Sequence, residues 1–304
     1  MASLGAGWTT SMRAQVPAPA PASAPVPARL LQITVDRYDW GTASPGDISA
    51  VVQSAGDQIW EHCNRSQLDL IKVYRRRDYP VTDILRDWKG RISIGLTSKD
   101  ARWAQFAFQF GHEFCHALAH HSGIGKRGWH NLAHANMWFE ESLCETGSLF
   151  ALRRMAENWR TAPPFPQWRG YAPAFSMYAA ARLALPEHRL PVGVPFAAWF
   201  HQNEAALRAC STLREKNTII ASQMLPVLEA TPAGWEALCF LNLGSRDPKK
   251  SFARHLTEWG QNAPPDLHPF VSRIAAVFAS EAVKKKEDAA VVIPFRRLDS
   301  FPAP

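Results

Sequence analysis

The first hundred residues divide into short apolar runs and one longer amphipathic segment. Residues 30–35 and 68–73 are apolar runs of strand length, and residues 91–97 alternate apolar with polar or small side chains, which is typical of a strand with one buried face. Residues 47–63 repeat apolar side chains at helical spacing, and Asp47 is placed to cap that helix. The pattern predicts the order strand, helix, strand, strand.

A longer helix is predicted at residues 101–121. It follows residues 97–100, Thr-Ser-Lys-Asp, which are typical of a capping box. Apolar side chains recur along one face of this helix, at Phe106, Phe110, Phe114, Ala117 and Leu118. The opposite stripe is polar and is made by Gln109, His112, His116 and His120. Either these histidines serve a site inside the protein, or a surface helix simply exposes them.

The remainder of the chain is predicted to be mainly helical. A helix is expected at residues 136–159, and shorter segments at 171–185, 196–201, 205–210, 219–228, 235–241 and 266–281. The fold class is therefore α+β, with a small mixed β-sheet packed on the 101–121 helix and followed by a mainly helical lobe. Four parts are expected: a disordered Ala/Pro-rich leader (1–29), a core (30–160), a helical lobe (161–283) and a charged C-terminal tail (284–304).

Composition limits the function classes. With 304 residues, 46% of them hydrophobic, the chain is long enough for a sizeable core. No run of eighteen apolar residues occurs, so no integral membrane segment is expected. The net charge of +7 comes with short, scattered basic clusters at 75–77 and 284–286, which we interpret as solvated faces and not as a nucleic-acid-binding surface. The sequence does not predict the oligomeric state.

The five cysteines are odd in number and lack paired spacing, which favours a reducing compartment such as the cytoplasm over a disulfide framework. The leader leaves export or transit targeting open. Cys115 and Cys144 fall inside the helices 101–121 and 136–159. They are interpreted as small apolar packing residues, with a redox or inhibitory thiol role as the alternative.

The candidate chemistry lies in the polar stripe, where residues 112–116 read His-Glu-Phe-Cys-His. On a helix, His112 and His116 lie one turn apart on one face, so both imidazoles can reach one metal ion. Glu113 points to the side of that face, where it can take a proton from a water bound to the metal. This spacing predicts a zinc site.

A third ligand is expected from the helix at residues 136–159. Two neighbouring carboxylates compete for that role, Glu140 and Glu141, which point about 100° apart on a helix. Glu145 lies four residues after Glu141 on the same face, where it can hydrogen-bond a ligating histidine. Glu140 has Cys144 at the corresponding position. We therefore predict Glu141 as the ligand.

These residues resemble the gluzincin class of zinc metallopeptidases, the thermolysin and aminopeptidase N type. The resemblance rests on residues 112–116 together with Trp-Phe-Glu-Glu-Ser-Leu at 138–143, and it covers about residues 91–155. It implies Glu141 as the third zinc ligand and Glu145 as its outer partner, where the family has Asp. Ser142 stands where the family has Gly, and the gap between the two motifs is longer than in thermolysin. A metzincin is disfavoured, because its third histidine would fall at Ser122.

The resemblance also implies a Tyr or His from the helical lobe that stabilises the oxyanion. Tyr178 is the first choice, followed by Tyr171 and His201. In the loop at 122–135, His130 and His134 are interpreted as bystanders, with ligation or substrate contact as the alternative. The strand at 91–97 is the candidate edge for pairing with an extended peptide, unless it is paired on both sides.

Together these patterns predict a zinc-dependent hydrolase, in first place a metallopeptidase acting on a peptide or protein. Zinc on His112, His116 and Glu141 lowers the pKa of a water, Glu113 takes its proton, and the hydroxide attacks a carbonyl polarised by the metal. The alternative is a non-catalytic zinc-binding protein that uses the helical lobe to bind a partner. In that case Cys144 or His130 would close the fourth coordination position.

Overall fold

The computed structural model describes residues 30–83, 85–121, 135–245 and 247–279. The predicted leader, the charged tail, His130 and His134 lie outside the described residues. Over the described ranges the chain combines one small mixed sheet with eight α-helices and four 3₁₀ segments. The predicted α+β class is confirmed.

The sheet contains β1 (Ile33–Val35), β2 (Ile71–Arg75), β3 (Val81–Thr82) and β4 (Ile92–Leu96) in the order β1-β2-β4-β3. β1 pairs with β2 and β2 with β4 in parallel, whereas β3 pairs with β4 in antiparallel fashion. Of the two alternatives left open for residues 91–97, the structure shows the strand paired on both sides, so β4 is not the edge at which an extended peptide could pair. The two-residue strand β3 forms that edge of the described sheet.

Three long helices form the core with the sheet: α1 (Pro45–Trp60) and α2 (Trp103–His121) pack on the sheet, and α3 (Met137–Asn158) packs on both of these helices. The N-cap of α1 is Ser44, whose hydroxyl accepts from the backbone N–H of Asp47, so Asp47 is not the cap. The predicted capping box before α2 is also wrong. Asp100 adopts a positive φ of 56°, and its carboxylate accepts from Thr42 in the β1–α1 loop. Asp100 therefore joins two loops and does not cap α2.

The lobe after residue 160 consists of α4 (Ala172–Ala184), α5 (Phe196–Ala209), α6 (Arg214–Ala230), α7 (Phe252–Asn262) and α8 (His268–Phe278). The segments predicted at 196–201 and 205–210 are one continuous helix, α5. The segment predicted at 235–241 belongs to a 3₁₀ helix, Pro232–Phe240, and α7 was not predicted. In the described part of the chain, no helix is long and apolar enough to cross a membrane.

The apolar stripe predicted on α2 lies in the core, with Phe106, Phe110 and Phe114 fully buried. On another side, α2 packs closely against α3. A Cβ at Gly111 would lie 3.2 Å from Cα of Ser148, and a Cβ at Gly147 would clash with Sγ of Cys115. The two glycines therefore permit the close approach of these helices, which brings their polar residues within hydrogen-bonding reach of each other.

Candidate metal centre

The polar faces of α2 and α3 meet in antiparallel order. Near the start of α2, the Phe108 carbonyl accepts from Ser148, and further along His112 faces Glu141 and His116 faces both Glu140 and Glu141. Successive turns of one helix therefore meet successive turns of the other in reverse. The structure thus brings the predicted ligands His112, His116 and Glu141 together.

Glu141 lies between the two imidazoles. Its Oε2 is 3.3 Å from Nε2 of His112, and its Oε1 is 3.6 Å from Nε2 of His116. Two ligand atoms that are each about 2.1 Å from a tetrahedral zinc ion lie about 3.4 Å from one another. Each separation is close to that value, so Glu141 stands at ligand spacing from each imidazole in turn, and two nitrogens with a carboxylate suit a zinc ion by their chemistry.

The other ring nitrogen of each histidine faces a different carboxylate. Nδ1 of His116 lies 2.6 Å from Oε1 of Glu140, and Nδ1 of His112 lies 3.8 Å from Oε2 of Glu145. Histidines that ligate metals usually donate their second N–H to a carboxylate, a carbonyl or water, which fixes the ring and the tautomer. Both imidazoles are therefore placed with Nε2 toward Glu141 and Nδ1 toward an outer carboxylate.

Glu145 is itself held from the helical lobe. Its Oε1 accepts from Nη2 of Arg182 at 2.9 Å and from the hydroxyl of Thr218 at 3.0 Å. The sequence placed Glu145 beside a ligating histidine, and the structure places it beside His112. Its two supporting residues come from α4 and α6, and sequence reasoning missed them.

Glu140 is the rival ligand and occupies a buried position with 1% of its surface exposed. Oε1 receives both His116 Nδ1 at 2.6 Å and His120 Nε2 at 2.7 Å, and Oε2 accepts from Nδ2 of Asn242 at 2.8 Å. These are hydrogen-bond separations, shorter than the distance of about 3.4 Å between two ligands of one ion. Glu140 is therefore placed as a hydrogen-bond acceptor behind His116.

The electrostatics of the metal-free site follow from these contacts. Burial alone would lower the pKa of His116, but the hydrogen bond to Glu140 and the charges of Glu140, Glu141 and Glu113 raise it to about 10. Burial alone would raise the pKa of Glu140, yet His120 and His116 hold it well below its usual value. In the same way, His112 and His116 outweigh burial and lower the pKa of Glu141. The site is thus built to hold ionised carboxylates.

The carboxylate of Glu113 contacts β3, and its charge also acts on His116. The hydroxyl of Thr82 lies 2.6 Å from the backbone carbonyl of Glu113 and 3.1 Å from Oε2 of its carboxylate. Both residues are buried at 5% exposure, and the carboxylate of Glu113 borders a cavity. The edge strand therefore orients the predicted general base.

This cavity, of about 310 Å³, is bounded by the segment 78–80 just before β3 and by α2, α3, α4 and α6. Its lining includes Glu113, His112, Glu141, Glu145 and Tyr178, as well as two arginines, Arg182 and Arg214, that the sequence did not single out. Such a volume lies at the lower end of the range for small-ligand sites. Four of the five residues predicted for the site border one cavity, and His116 lies next to them.

Of the three candidates for oxyanion stabilisation, Tyr178 faces the cavity. It is half-buried, and burial raises its pKa against the opposing effect of the neighbouring Arg182. The hydroxyl of Tyr171 instead accepts from the backbone N–H of Ala104, and His201 is exposed on α5 and does not line the cavity.

Among the described residues, two groups of three bring their ligand atoms within 4.8 Å of one another and could hold a metal ion. They are His112, His116 and Cys144, and His116, His120 and Glu140. The ligand atoms of His112, His116 and Glu141 are not all within that distance of one another. Because Glu141 offers a different oxygen to each imidazole, a single ion held by all three requires a small side-chain adjustment. Cys144 is fully buried, and burial with a hydrogen bond to Cys115 raises the pKa of its thiol well above the usual range.

Comparison of the chain with protein-family models, with curated proteins and with solved structures finds no match. The arguments on function therefore rest on the geometry of the site.

Proposed function

We propose that this protein is a zinc-dependent metallopeptidase that holds zinc on His112, His116 and Glu141. One observation carries the proposal: both imidazoles of the His-Glu-x-x-His motif turn Nε2 toward the same carboxylate and Nδ1 toward a different one. This arrangement is expected where two histidines ligate one ion and outer carboxylates fix their rings. The substrate class is a peptide or protein.

Zinc held by these residues would act as a Lewis acid and would lower the pKa of a bound water. Glu113 is the general base, because its carboxylate borders the cavity beside His112 and is oriented by Thr82. After taking a proton from the attacking water, Glu113 delivers it to the nitrogen of the leaving amine. Both transfers need a carboxylate within hydrogen-bond reach of the cavity, and Glu113 supplies it.

Tyr178 is the proposed donor to the oxyanion that forms when water attacks the peptide carbonyl. The raised pKa keeps its hydroxyl protonated at neutral pH, which is the form that can donate. Arg182, which also borders the cavity, lies next to Tyr178 on α4 and is anchored to Glu145. The cavity thus presents a base and a donor from different elements.

The test is Glu113→Gln, assayed against a pool of peptides beside the zinc content of the purified chain. We expect about one zinc per chain in both proteins, and at least about a hundredfold loss of peptidase activity in the variant, which is the low end of general-base effects. Glu187→Gln is the matched control, because Glu187 is exposed in the 3₁₀ segment Pro186–His188 and does not line the cavity. Full activity in Glu113→Gln contradicts the mechanism.

A second candidate, a non-catalytic zinc site, is favoured by one observation, the closeness of Cys144 to His112 and His116. A ligating cysteine must be a thiolate, and the raised pKa of Cys144 opposes that form in the metal-free protein. Cobalt substitution separates the two candidates. A thiolate-to-cobalt charge-transfer band that disappears in Cys144→Ala supports the non-catalytic site, whereas identical spectra in the two proteins support the site with Glu141.

A further inference from the structure

The carboxylate of Glu140 has all its described partners on the buried side of the metal centre. His116 and His120 share Oε1 at 2.6 and 2.7 Å, and Asn242 donates to Oε2 at 2.8 Å. Because an ionised carboxylate only accepts hydrogen bonds, both imidazole nitrogens and the amide must donate. His116 therefore carries its proton on Nδ1, which in the neutral ring leaves the lone pair of Nε2 directed toward Glu141 and the cavity.

His116, His120 and Glu140 are spaced as hydrogen-bonded partners and not as ligands of one ion. Two ligands of one tetrahedral zinc ion lie about 3.4 Å apart, and the donors to Glu140 are much closer. The group also joins distant parts of the chain. His120 follows His116 by one turn of α2, whereas Asn242 lies just beyond the 3₁₀ helix Pro232–Phe240 in the helical lobe.

We propose that Glu140, His120 and Asn242 form a clamp that positions His116 and sets the affinity of the site for zinc. The inference rests on the proposed function, since it concerns the same metal site. Glu140 holds the ring of His116, while His120 and Asn242 hold the two oxygens of Glu140, so that the carboxylate cannot rotate away. His120 and Asn242 do not border the cavity and act through Glu140 and His116.

The clamp explains why a carboxylate is stable at such a buried position. An ionised group without water needs hydrogen bonds to both oxygens. Removing Asn242 takes away the described donor to Oε2, and removing His120 leaves Oε1 with His116 as its one described donor. The helical lobe supplies one of these donors through Asn242. Metal affinity is therefore expected to depend on Asn242, which lies 102 positions after Glu140 in the sequence and further still from His116.

The experiment measures zinc affinity of the full chain by competition with a chelator, for wild type, Asn242→Ala, His120→Leu and His120→Gln. Loss of outer partners typically lowers metal affinity about 10- to 100-fold, and we expect that loss in Asn242→Ala and His120→Leu. His120→Gln keeps an N–H donor near the position of Nε2 and is expected to restore most of the affinity. A purely structural role would lower the unfolding temperature of the metal-free protein without this pattern in zinc affinity.

Asn158→Ala is the matched control. Asn158 is also half-buried and donates to a side-chain oxygen at 2.8 Å, but it lies about 27 Å along α3 from Glu140, at 1.5 Å per residue. If Asn242→Ala and His120→Leu bind zinc as tightly as Asn158→Ala does, the clamp is overturned, but the proposed metal site is not. A wild-type chain that binds no zinc overturns the proposed function as well. If His120→Leu fails to fold, Asn242→Ala against Asn158→Ala decides alone.

Discussion

The two sides of the candidate metal centre differ, although each is formed by one of two neighbouring residues of α3, Glu140 and Glu141. On the cavity side, Glu141 meets Nε2 of both histidines at 3.3 and 3.6 Å. On the buried side, Glu140 meets Nδ1 of His116 at 2.6 Å. The same imidazole is thus approached by two carboxylates, at the spacing of two ligands in one case and of a hydrogen bond in the other. Residue type and sequence position do not separate these roles, whereas distance and surroundings do.

The largest expected effect comes from Glu141→Ala, which removes the carboxylate on the cavity side. Zinc affinity should fall by more than the 10- to 100-fold that is typical of outer partners, because a ligand itself is lost. Elemental analysis and chelator competition measure this change. If the variant keeps the zinc affinity of the wild type, Glu141 is not the ligand, and Glu140 or Cys144 takes that role instead.

On the buried side, Glu140→Gln should have the smaller effect on zinc, a loss within that 10- to 100-fold range. The metal-free protein should lose about 3 kcal/mol of unfolding free energy, because a buried ion pair with His116 loses one partner. Chemical denaturation with metal removed gives this value. A larger loss of zinc in Glu140→Gln than in Glu141→Ala contradicts the assignment of the two sides.

The pH dependence of the metal-free protein sharpens the same comparison. Because the pKa of His116 is raised to about 10, its contribution to the unfolding free energy is fully present below its ordinary value of 6.5 and is lost as the pH rises through about 10. The lowered pKa of Glu140 contributes stability above its ordinary value of 4.5 that is lost as the pH falls through the folded value.

Zinc changes this dependence, because a ligating histidine must be neutral at Nε2. Zinc affinity should therefore rise with pH over the range in which the metal-free protein loses the contribution of His116. Denaturation curves from pH 6.5 to 10, with and without zinc, measure both effects. Parallel pH dependences with and without zinc would indicate that the metal does not contact His116.

The close packing of α2 against α3 is expected to have a smaller effect on stability and on zinc binding. In Gly147→Ala, the new methyl group would clash with Sγ of Cys115 and push α2 away from α3. Overpacking of this kind costs about 1–3 kcal/mol and should also weaken zinc binding, since the ligands come from both helices. Gly170→Ala is a suitable control, because a Cβ there meets no atom within 4 Å. Equal stability of the two variants contradicts the role of Gly147.

The sequence predicted well those features of the site that depend on a single helix. The stripe on α2 is defined by its own periodicity, so the apolar face and the spacing of His112 and His116 could be read without knowledge of the fold. Asn242, Thr82 and Arg182 could not, because their contacts depend on how distant segments pack. The edge of the sheet could not be decided from the sequence, since β3 has only two residues and little pattern of its own.

For α7 the signal was present in the sequence. Phe252, His255 and Trp259 are its buried residues, at spacings of three and four, and Ser251 caps the helix. Their helical spacing was overlooked between two proline-containing segments. The sequence only partly separates the roles of Glu140 and Glu141. Helical spacing predicts Glu145 as the outer partner of the site, but it cannot place His120 and Asn242 around the carboxylate of Glu140.

The smallest expected effect tests how β3 supports the cavity side. Thr82→Val keeps a similar shape but removes the hydroxyl that lies 3.1 Å from Oε2 of Glu113. Losing one hydrogen bond of this kind costs about 1 kcal/mol, so kcat/KM should fall about fivefold with zinc affinity unchanged. Thr34→Val, on the opposite edge strand, should leave kcat/KM unaltered. The described hydrogen bonds of the Thr82 hydroxyl go to Glu113 and not to His112, His116 or Glu141, which is why zinc affinity should not change. A fall in zinc affinity would instead show that β3 supports the ligands and not the base.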